Sequence, residues 1–302
     1  MERGTVLVTG AAGFVGGHLM ERLTASGAQP IGWSRRDVDL VDRDTVRARI
    51  VHLRPSAIYH CAGAPHVAES WRDTTRPLRS NALATHYLLD AVRRAGVPCR
   101  VLVTGSAAVY RAAPDPIGED GAIEPSSPYA VSKLAQEQIA MRAIAEDGIE
   151  VVVTRPFNHT GPRQSPSFAA PTLARQLALI EAGRREPVIH AGNLDARRDL
   201  TDVRDTVRAY ELLMARGRVG VPYNVCSGTA YAIREILDGL RARVRVPVQV
   251  EVDPARLRPN DTPVLVGSPA RLQADTGWTP EIPFDRMLDD LLGYWRAEVA
   301  RA

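Results

Sequence analysis

Tyr129 and Lys133 stand four residues apart in Tyr129-Ala130-Val131-Ser132-Lys133, a spacing that puts a phenol and an ammonium on one face of a helix. A cation fixed beside a phenol is expected to lower its pKa from about 10 and make it a proton donor and acceptor near neutral pH. Of the 38 basic residues every one but Lys133 is arginine, and arginine cannot reproduce a compact point charge beneath a phenol. Ser127 can cap the helix and Pro128 can open it. Upstream, Val103-Thr104-Gly105-Ser106 ends an apolar run and delivers the Ser106 hydroxyl to a sheet edge, where it can hold the same substrate oxygen. Tyr and Lys fall at this spacing by chance in many helices, so the pair takes its meaning from its companions.

The strongest companion is Thr9-Gly10-Ala11-Ala12-Gly13-Phe14-Val15-Gly16, a glycine triplet between an apolar run and an amphipathic stretch. Gly10 permits a tight turn, Gly13 lets backbone approach a pyrophosphate, and Gly16 lets the helix pack against the strand while its N-terminus faces the phosphates. Phe14, Val15 and Ala62 complete this part of the expected cofactor set. An NAD site would hold the ribose with a carboxylate about 20 residues on. Here the chain reads Ser34-Arg35-Arg36, which suits the 2′-phosphate of NADP(H), with NAD possible if Arg35 and Arg36 are only solvated loop charges. Asp39 and Leu40 are placed to bracket the adenine in either case.

Elements that position these residues alternate in a βαβα rhythm. Strands are predicted at Thr5 to Thr9, Pro30 to Trp33, Ala57 to His60, Arg100 to Thr104 and Glu150 to Arg155, with helices at 14 to 26, 42 to 53, 76 to 95 and 128 to 147. Nearly continuous apolar strands separated by helices predict an α/β fold, a doubly wound parallel sheet of the Rossmann type. After Arg155 a stretch rich in Pro, Asn, Gly and His breaks the rhythm. Helices at about 171 to 183, 203 to 215 and 231 to 244, a strand at Pro222 to Cys226 and a final helix from Phe284 follow. The expected division is interleaved: 1–165 with 195–230 binds NAD(P), and 166–194 with 231–302 forms a smaller substrate-binding cap over the carboxyl edge.

Composition narrows the function classes. The chain has 302 residues, about twice the ~150 typical of one domain, with 45% hydrophobic and 24% charged residues, and no apolar run reaches the ~18 needed to span a bilayer. A formal charge of +3, with arginines clustered only in pairs such as Arg93-Arg94 and Arg184-Arg185, gives no nucleic-acid footprint. Cys61, Cys99 and Cys226 lack metal or disulfide spacing. The apolar run starting within a few residues of Met1 leaves no room for a secretory leader, so a cytoplasmic protein with free thiols is expected.

From Val6 to about Trp295 the sequence resembles the extended short-chain dehydrogenase/reductase family. The likeness is carried by Gly10-x-x-Gly13-Phe14-x-Gly16, by Ser106-Ala107-Ala108-Val109-Tyr110 and by Tyr129-x-x-x-Lys133. It implies Ser106, Tyr129 and Lys133 as the catalytic triad and Asn81 as the family's asparagine on the preceding helix, counted with the cofactor-binding residues. Three segments are similar to the GDP-mannose 4,6-dehydratase branch: Arg155-Pro156-Phe157-Asn158-His159-Thr160-Gly161-Pro162, Gly192-Asn193-Leu194-Asp195-Ala196-Arg197-Arg198-Asp199, and Arg258-Pro259-Asn260-Asp261. By that resemblance Asn158, Asn193, Arg198 and Arg258, with Arg175 as a weaker candidate, line a nucleotide-sugar pocket; guanidinium forks match a diphosphate. Read alone, Arg198 and Arg258 serve equally as ordinary ion-pair partners.

Two departures bear on the reaction. Dehydratases of the branch carry an acid after the catalytic Ser or Thr, where this chain has Ala107 and Ala108, and alanine cannot shuttle a proton. Arg111 stands where the family has glycine, so it either touches ligand or reshapes the loop. The implied activity is therefore NADPH- or NADH-dependent reduction of the 4-keto group of GDP-4-keto-6-deoxy-D-mannose to GDP-D-rhamnose or GDP-6-deoxy-D-talose. A nucleotide-sugar 4-epimerase with retained NAD and an NAD(P)-sensing scaffold are the alternatives. A homodimer paired through the helices at 76–95 and 128–147 is implied by analogy. His66, in the loop after the third strand, is left outside the site as a surface residue.

Overall fold

The computed structural model describes residues 4–256 and 262–302. Strand β1 (Val6–Thr9) leads into α1 (Phe14–Ala25), followed by β2 (Ile31–Trp33), α2 (Arg43–Leu53), β3 (Ala57–His60) and α3 (Val67–Arg72). A short α4 (Thr75–Pro77) runs through a π-helical segment, Leu78–Leu83, into α5 (Ala84–Ala95). Then come β4 (Arg100–Thr104), α6 (Pro128–Asp147), β5 (Glu150–Pro156), β6 (Asn158–Thr160), α7 (Ala169–Glu181), β7 (Val188–Ala191), β8 (Arg197–Asp202), α8 (Val203–Arg216) and β9 (Pro222–Val225). The chain ends with β10 (Ala230–Ala232), α9 (Ile233–Arg241), β11 (Gln249–Val252), β12 (Val264–Leu265), α10 (Ala270–Thr276) and α11 (Phe284–Arg301).

Six strands form the expected all-parallel sheet in the order β2-β1-β3-β4-β5-β9. Because side chains alternate along a strand, the apolar strands bury both faces. Leu7, Ile58, Val101, Val103, Val151 and Val153 join the core under α2, α5 and α6. Their neighbours Val8, Tyr59, Leu102 and Val152 face α1 and α8, where Leu272 and Trp278 of the C-terminal region also pack. Burying such a side chain contributes roughly 1.5–3 kcal/mol, so the two cores hold the strand ends in register.

A smaller layer surrounds α7, α9 and α11, whose Leu177, Leu237, Leu288 and Leu292 meet Ile189 of β7 in a core of their own. Its strands are short: β7 pairs with β11, and β8 pairs with β6, β10 and β12. These strands, with α3 and α10, escape a reading by periodicity because two to seven residues hold too few repeats. The helix predicted from Tyr231 starts at Ile233, since Tyr231 and Ala232 pair with β8 and the Ala232 N–H donates to Glu235 Oε2 at 2.7 Å. Asp199 on β8 is fully buried and accepts from Ser227 N and Oγ, Gly228 N and Gly267 N at 2.7–3.3 Å, tying β8 to the loops after β9 and β12. Among the described residues no helix is long and apolar enough to cross a membrane.

Arg155, at the end of β5, crosses under the carboxyl edge and grips buried Glu137 of α6 with two nitrogens, at 2.9 and 2.5 Å. Its third nitrogen donates to Tyr110 Oη at 2.7 Å and to the Glu119 carbonyl at 2.9 Å, and Tyr110 passes its own proton to Asn224 Oδ1 of β9 at 2.8 Å. One guanidinium thus fixes the helix, the strand and the loop that frame the edge. Replacing Arg155 by Leu strands a buried carboxylate, and urea unfolding should show a loss of about 3–5 kcal/mol, much of it recovered when Glu137→Leu is added.

Candidate active site

The residues read as catalytic converge at the carboxyl edge. Ser127 accepts the Ala130 N–H at 3.1 Å and Pro128 begins α6, as the sequence predicts. The Tyr129 N–H is held by Ser70 of α3 at 3.2 Å, a contact between elements far apart in sequence. Ser106 caps a 3-10 turn, Ala107–Val109, by accepting the Ala108 N–H at 3.1 Å, and its hydroxyl hydrogen-bonds the Tyr129 phenol. Lys133 is buried and donates to the Thr104 carbonyl at 2.7 Å and to Gln136 Oε1 at 2.9 Å, which leaves one N–H without a protein acceptor among the described residues.

Titration behaviour corrects one sequence expectation. Burial raises the Tyr129 pKa and the Ser106 hydrogen bond only partly offsets it, so the phenol is not pulled down by Lys133. The physical reason is desolvation: burial takes the phenol out of water and penalises its charged form. Burial also acts on Lys133, whose pKa falls to about 8. Near neutral pH the pair therefore holds a protonated phenol and a charged ammonium, the state that can give a proton to a developing alkoxide.

The dinucleotide turn has the predicted shape. Gly10 has φ 70°, and a Cβ there would meet Ala62 N at 2.8 Å. A Cβ on Gly16 would collide with the Gly10 carbonyl, so only glycine lets α1 sit this close to β1. Gly13 is the N-cap of α1 and no side chain caps that end, leaving its first amides aimed at the edge as an anion cradle. Phe14 lies edge-on to His18 at 5.5 Å and stacks on His159 of β6 at 5.9 Å, which pins the helix start; Val15 packs into the core with Val8 and Leu19. His18 carried no signal in the sequence, and His159 stood only within the segment Arg155 to Pro162.

At the end of β2, Ser34 is drawn into a turn: its N–H and Oγ both donate to Asp37 Oδ2, at 2.8 and 2.6 Å. Arg35 and Arg36 are exposed and make no ion pair among the described residues. Asp39 is exposed and its carboxylate caps the Val41 N–H, whereas Leu40 is buried in the core. Asn81 sits in the π-helical segment, fully buried; its Oδ1 accepts the Ala64 N–H and its Nδ2 donates to Ser132 Oγ, both at 2.8 Å. A π-bulge at such a point is a frequent mark of a functional site.

On the other side of the edge, Asn158 is exposed on β6. Asn193 precedes β8 and its Oδ1 accepts the Asp195 N–H, while Arg198 on β8 donates to the carbonyls of Arg197 and Thr262. Arg175 rests its guanidinium over Trp295 of α11, 5.9 Å from the ring, a contact within the smaller layer's own packing. Arg258, with the rest of Arg258-Pro259-Asn260-Asp261, lies outside the described residues. Arg111 is exposed, its N–H bound to the Ala122 carbonyl. His66 stacks on Phe168 at 4.9 Å, so it joins the loop after β3 to the start of α7 rather than facing bulk solvent alone. Two surface concavities of about 420 and 230 Å³ lie elsewhere, around Arg93, Arg100 and Glu150 and around Thr201, Ser227 and Phe284, and neither includes Ser106, Tyr129 or Lys133.

A parallel nucleotide-binding sheet with Ser, Tyr and Lys gathered at its carboxyl edge defines a short-chain dehydrogenase/reductase of the extended type. Within it, the family described as GDP-mannose 4,6 dehydratase matches residues 34–291, and the chain belongs to that family. GDP-6-deoxy-D-mannose reductase of Pseudomonas aeruginosa is 38% identical over 301 aligned residues, covering 97% of this chain and 98% of that protein. The solved structure of RMD from Pseudomonas aeruginosa complexed with NADPH matches with a TM-score of 0.90 at 35% identity over 98% of this chain and 99% of that one. The UDP-glucose 4-epimerase of Thermus thermophilus complexed with NAD matches with a TM-score of 0.85 at 29% identity, over 97% and 99%.

Gly63 offers a test of how tightly the edge is built. A Cβ there would come within 2.5 Å of Asn81 Oδ1 and 3.6 Å of Lys133 Nζ, and buried Asn81 has nowhere to move. Gly63→Ala should weaken nicotinamide-nucleotide binding by about tenfold, a cost of about 1.4 kcal/mol, read by fluorescence titration.

Proposed function

We propose that the chain is an NADPH-dependent reductase that converts the 4-keto group of GDP-4-keto-6-deoxy-D-mannose to the alcohol of GDP-D-rhamnose or its C4 epimer, GDP-6-deoxy-D-talose. One observation carries the reading: Ser106, hydrogen-bonded to the Tyr129 phenol, is followed by Ala107 and Ala108, where dehydration needs an acid. The similarity to a GDP-6-deoxy-D-mannose reductase supports the substrate class, and the NADPH complex of RMD supports the cofactor.

When bound, the nicotinamide supplies the hydride for the ketone carbon. The residues of this chain do the rest. Ser106 orients the carbonyl oxygen, Tyr129 gives it a proton, and the charged Lys133 beside them stabilises the tyrosinate left behind and turns its third N–H to the nicotinamide ribose. Gly10, Gly13, Phe14, Val15 and Gly16 take the pyrophosphate, Ala62 and Asn81 shape the wall beside it, Arg35 and Arg36 meet the 2′-phosphate beside Ser34, and Asp39 with Leu40 borders the adenine. Asn158, Asn193, Arg198 and Arg258 hold the GDP-sugar, with Arg175 a weaker member. The smaller layer, roughly 166–194 with 231–302, serves as the substrate cap. A cytoplasmic homodimer fits this reading; exposed Trp71 on α3, Leu78 on the π-helical segment and Val131 on α6, which packs against both, support the pairing of subunits.

The deciding assay follows oxidation of NADPH and of NADH by the purified protein, with the ketone generated in place by a dehydratase. Consumption of NADPH in step with substrate is the expected result; NAD retained through purification with no net NADPH consumption would instead indicate a 4-epimerase. Tyr129→Phe should lower the rate by roughly 10²–10⁴ and spare cofactor binding. Arg35→Ser with Arg36→Ser should cut the preference for NADPH over NADH about tenfold, read as the ratio of kcat/KM values. The ammonium is the form lost on raising the pH through about 8, so the wild-type rate should fall on that alkaline side.

A further inference from the structure

Lys133 belongs to a buried polar chain that reaches back to the cofactor turn. Gln136, fully buried one helical turn along α6, accepts from Lys133 with Oε1 and donates with Nε2 to Thr85 Oγ of α5 at 2.9 Å. Thr85 in turn donates to the Asn81 carbonyl at 2.6 Å and lies 2.9 Å from His60 Nε2. His60 Nδ1 lies 2.8 Å from Thr9 Oγ, and Thr9 Oγ accepts the Ala62 N–H beside the glycine turn at 3.3 Å.

Donor counting fixes every direction in this chain. An ammonium only donates, so the Gln136 oxygen must face Lys133 and its NH2 must face Thr85. The single Thr85 proton goes to Asn81, so the hydroxyl accepts from both Gln136 and His60, which makes His60 a donor at Nε2. Its Nδ1 then accepts from Thr9. This requires a neutral imidazole, and burial keeps His60 neutral by lowering its pKa to about 3. The ionisable groups around the ammonium are His60 and Cys61 at the end of β3 and Tyr129 on α6. Burial also raises the Cys61 thiol to about 12, so none of the three is charged near neutral pH, while Glu137 on the next residue is engaged by Arg155.

We infer that Gln136 is the positioning residue of the active site: its side-chain carbonyl, locked by Thr85, holds the Lys133 ammonium charged and aimed at the cofactor. This rests on the reductase reading for its consequence in catalysis but not for its test. Thr104 supplies the other acceptor from backbone, which no substitution of its side chain removes, so Gln136 is the part of the arrangement that sequence can vary.

The chain carries one lysine, so the intact protein grown with isotope-labelled lysine gives a single lysine side-chain resonance whose pH titration reports Lys133 directly. Gln136→Met keeps length and removes the acceptor; the Lys133 midpoint should fall by about one pH unit, because the charged form loses a partner. Gln136→Glu keeps an acceptor and adds charge, so its midpoint should rise above the wild-type value. With NADPH and the keto sugar, the alkaline limb of kcat should move in the same two directions while KM for the sugar changes less than about twofold. A Lys133 midpoint unmoved in a folded Gln136→Met protein would overturn the inference and leave Gln136 a packing residue. Should Gln136→Met not fold, an unmoved midpoint in Gln136→Glu overturns it equally. The resonance needs no substrate, so failure of the GDP-sugar reading, seen as no NADPH consumption by wild type, leaves this comparison standing.

Discussion

Burying the Lys133 ammonium strips its hydration, and an ion without compensating partners would lose its charge. The fold supplies two acceptors from different elements, the Thr104 carbonyl at the end of β4 and Gln136 on α6, so helix and strand must be set at one distance and one angle. The third N–H is thereby aimed at the edge where Tyr129 and Ser106 meet. Most of the other polar contacts near the edge maintain that setting: Asn81 bonds Ser132 on the same helix, Ser70 holds the Tyr129 N–H, and Arg155 holds Glu137 one turn beyond.

The same network runs from the glycine turn to the lysine. Thr9 leads into the glycine turn, its hydroxyl holds the Ala62 N–H, and Ala62 is what a Cβ on Gly10 would strike. Neutral His60 and Thr85 thus complete an unbroken run of hydrogen bonds from the turn to Gln136. In such a chain each hydroxyl has one proton to give, so the directions are set together and a single replacement leaves a buried group unsatisfied. The sheet around β8 is built differently. Asp199 gathers amides from loops after β9 and β12, using one buried carboxylate to hold several turns where the strands themselves are too short to do so.

Much of this was legible in the residues. The six-strand sheet, the helices between its strands and the meeting of Ser106, Tyr129 and Lys133 follow from long apolar runs, a glycine triplet and a four-residue spacing, all local patterns. The strands around β8 were not legible, because a strand of two to six residues is stabilised by its neighbours rather than by its own pattern. Gln136, Thr85 and His60 left no trace for the same reason: a buried polar residue is defined by partners up to 51 positions away.

The sequence by itself determined the class of protein and the dinucleotide turn and singled out Ser106, Tyr129 and Lys133, since glycine geometry and side-chain chemistry are properties of the residues themselves. Only the tertiary structure decided how those groups are charged. Read locally, Lys133 should lower the Tyr129 pKa; in the fold, burial raises the phenol and lowers the ammonium, because desolvation depends on everything packed around a group and not on the residue four positions away.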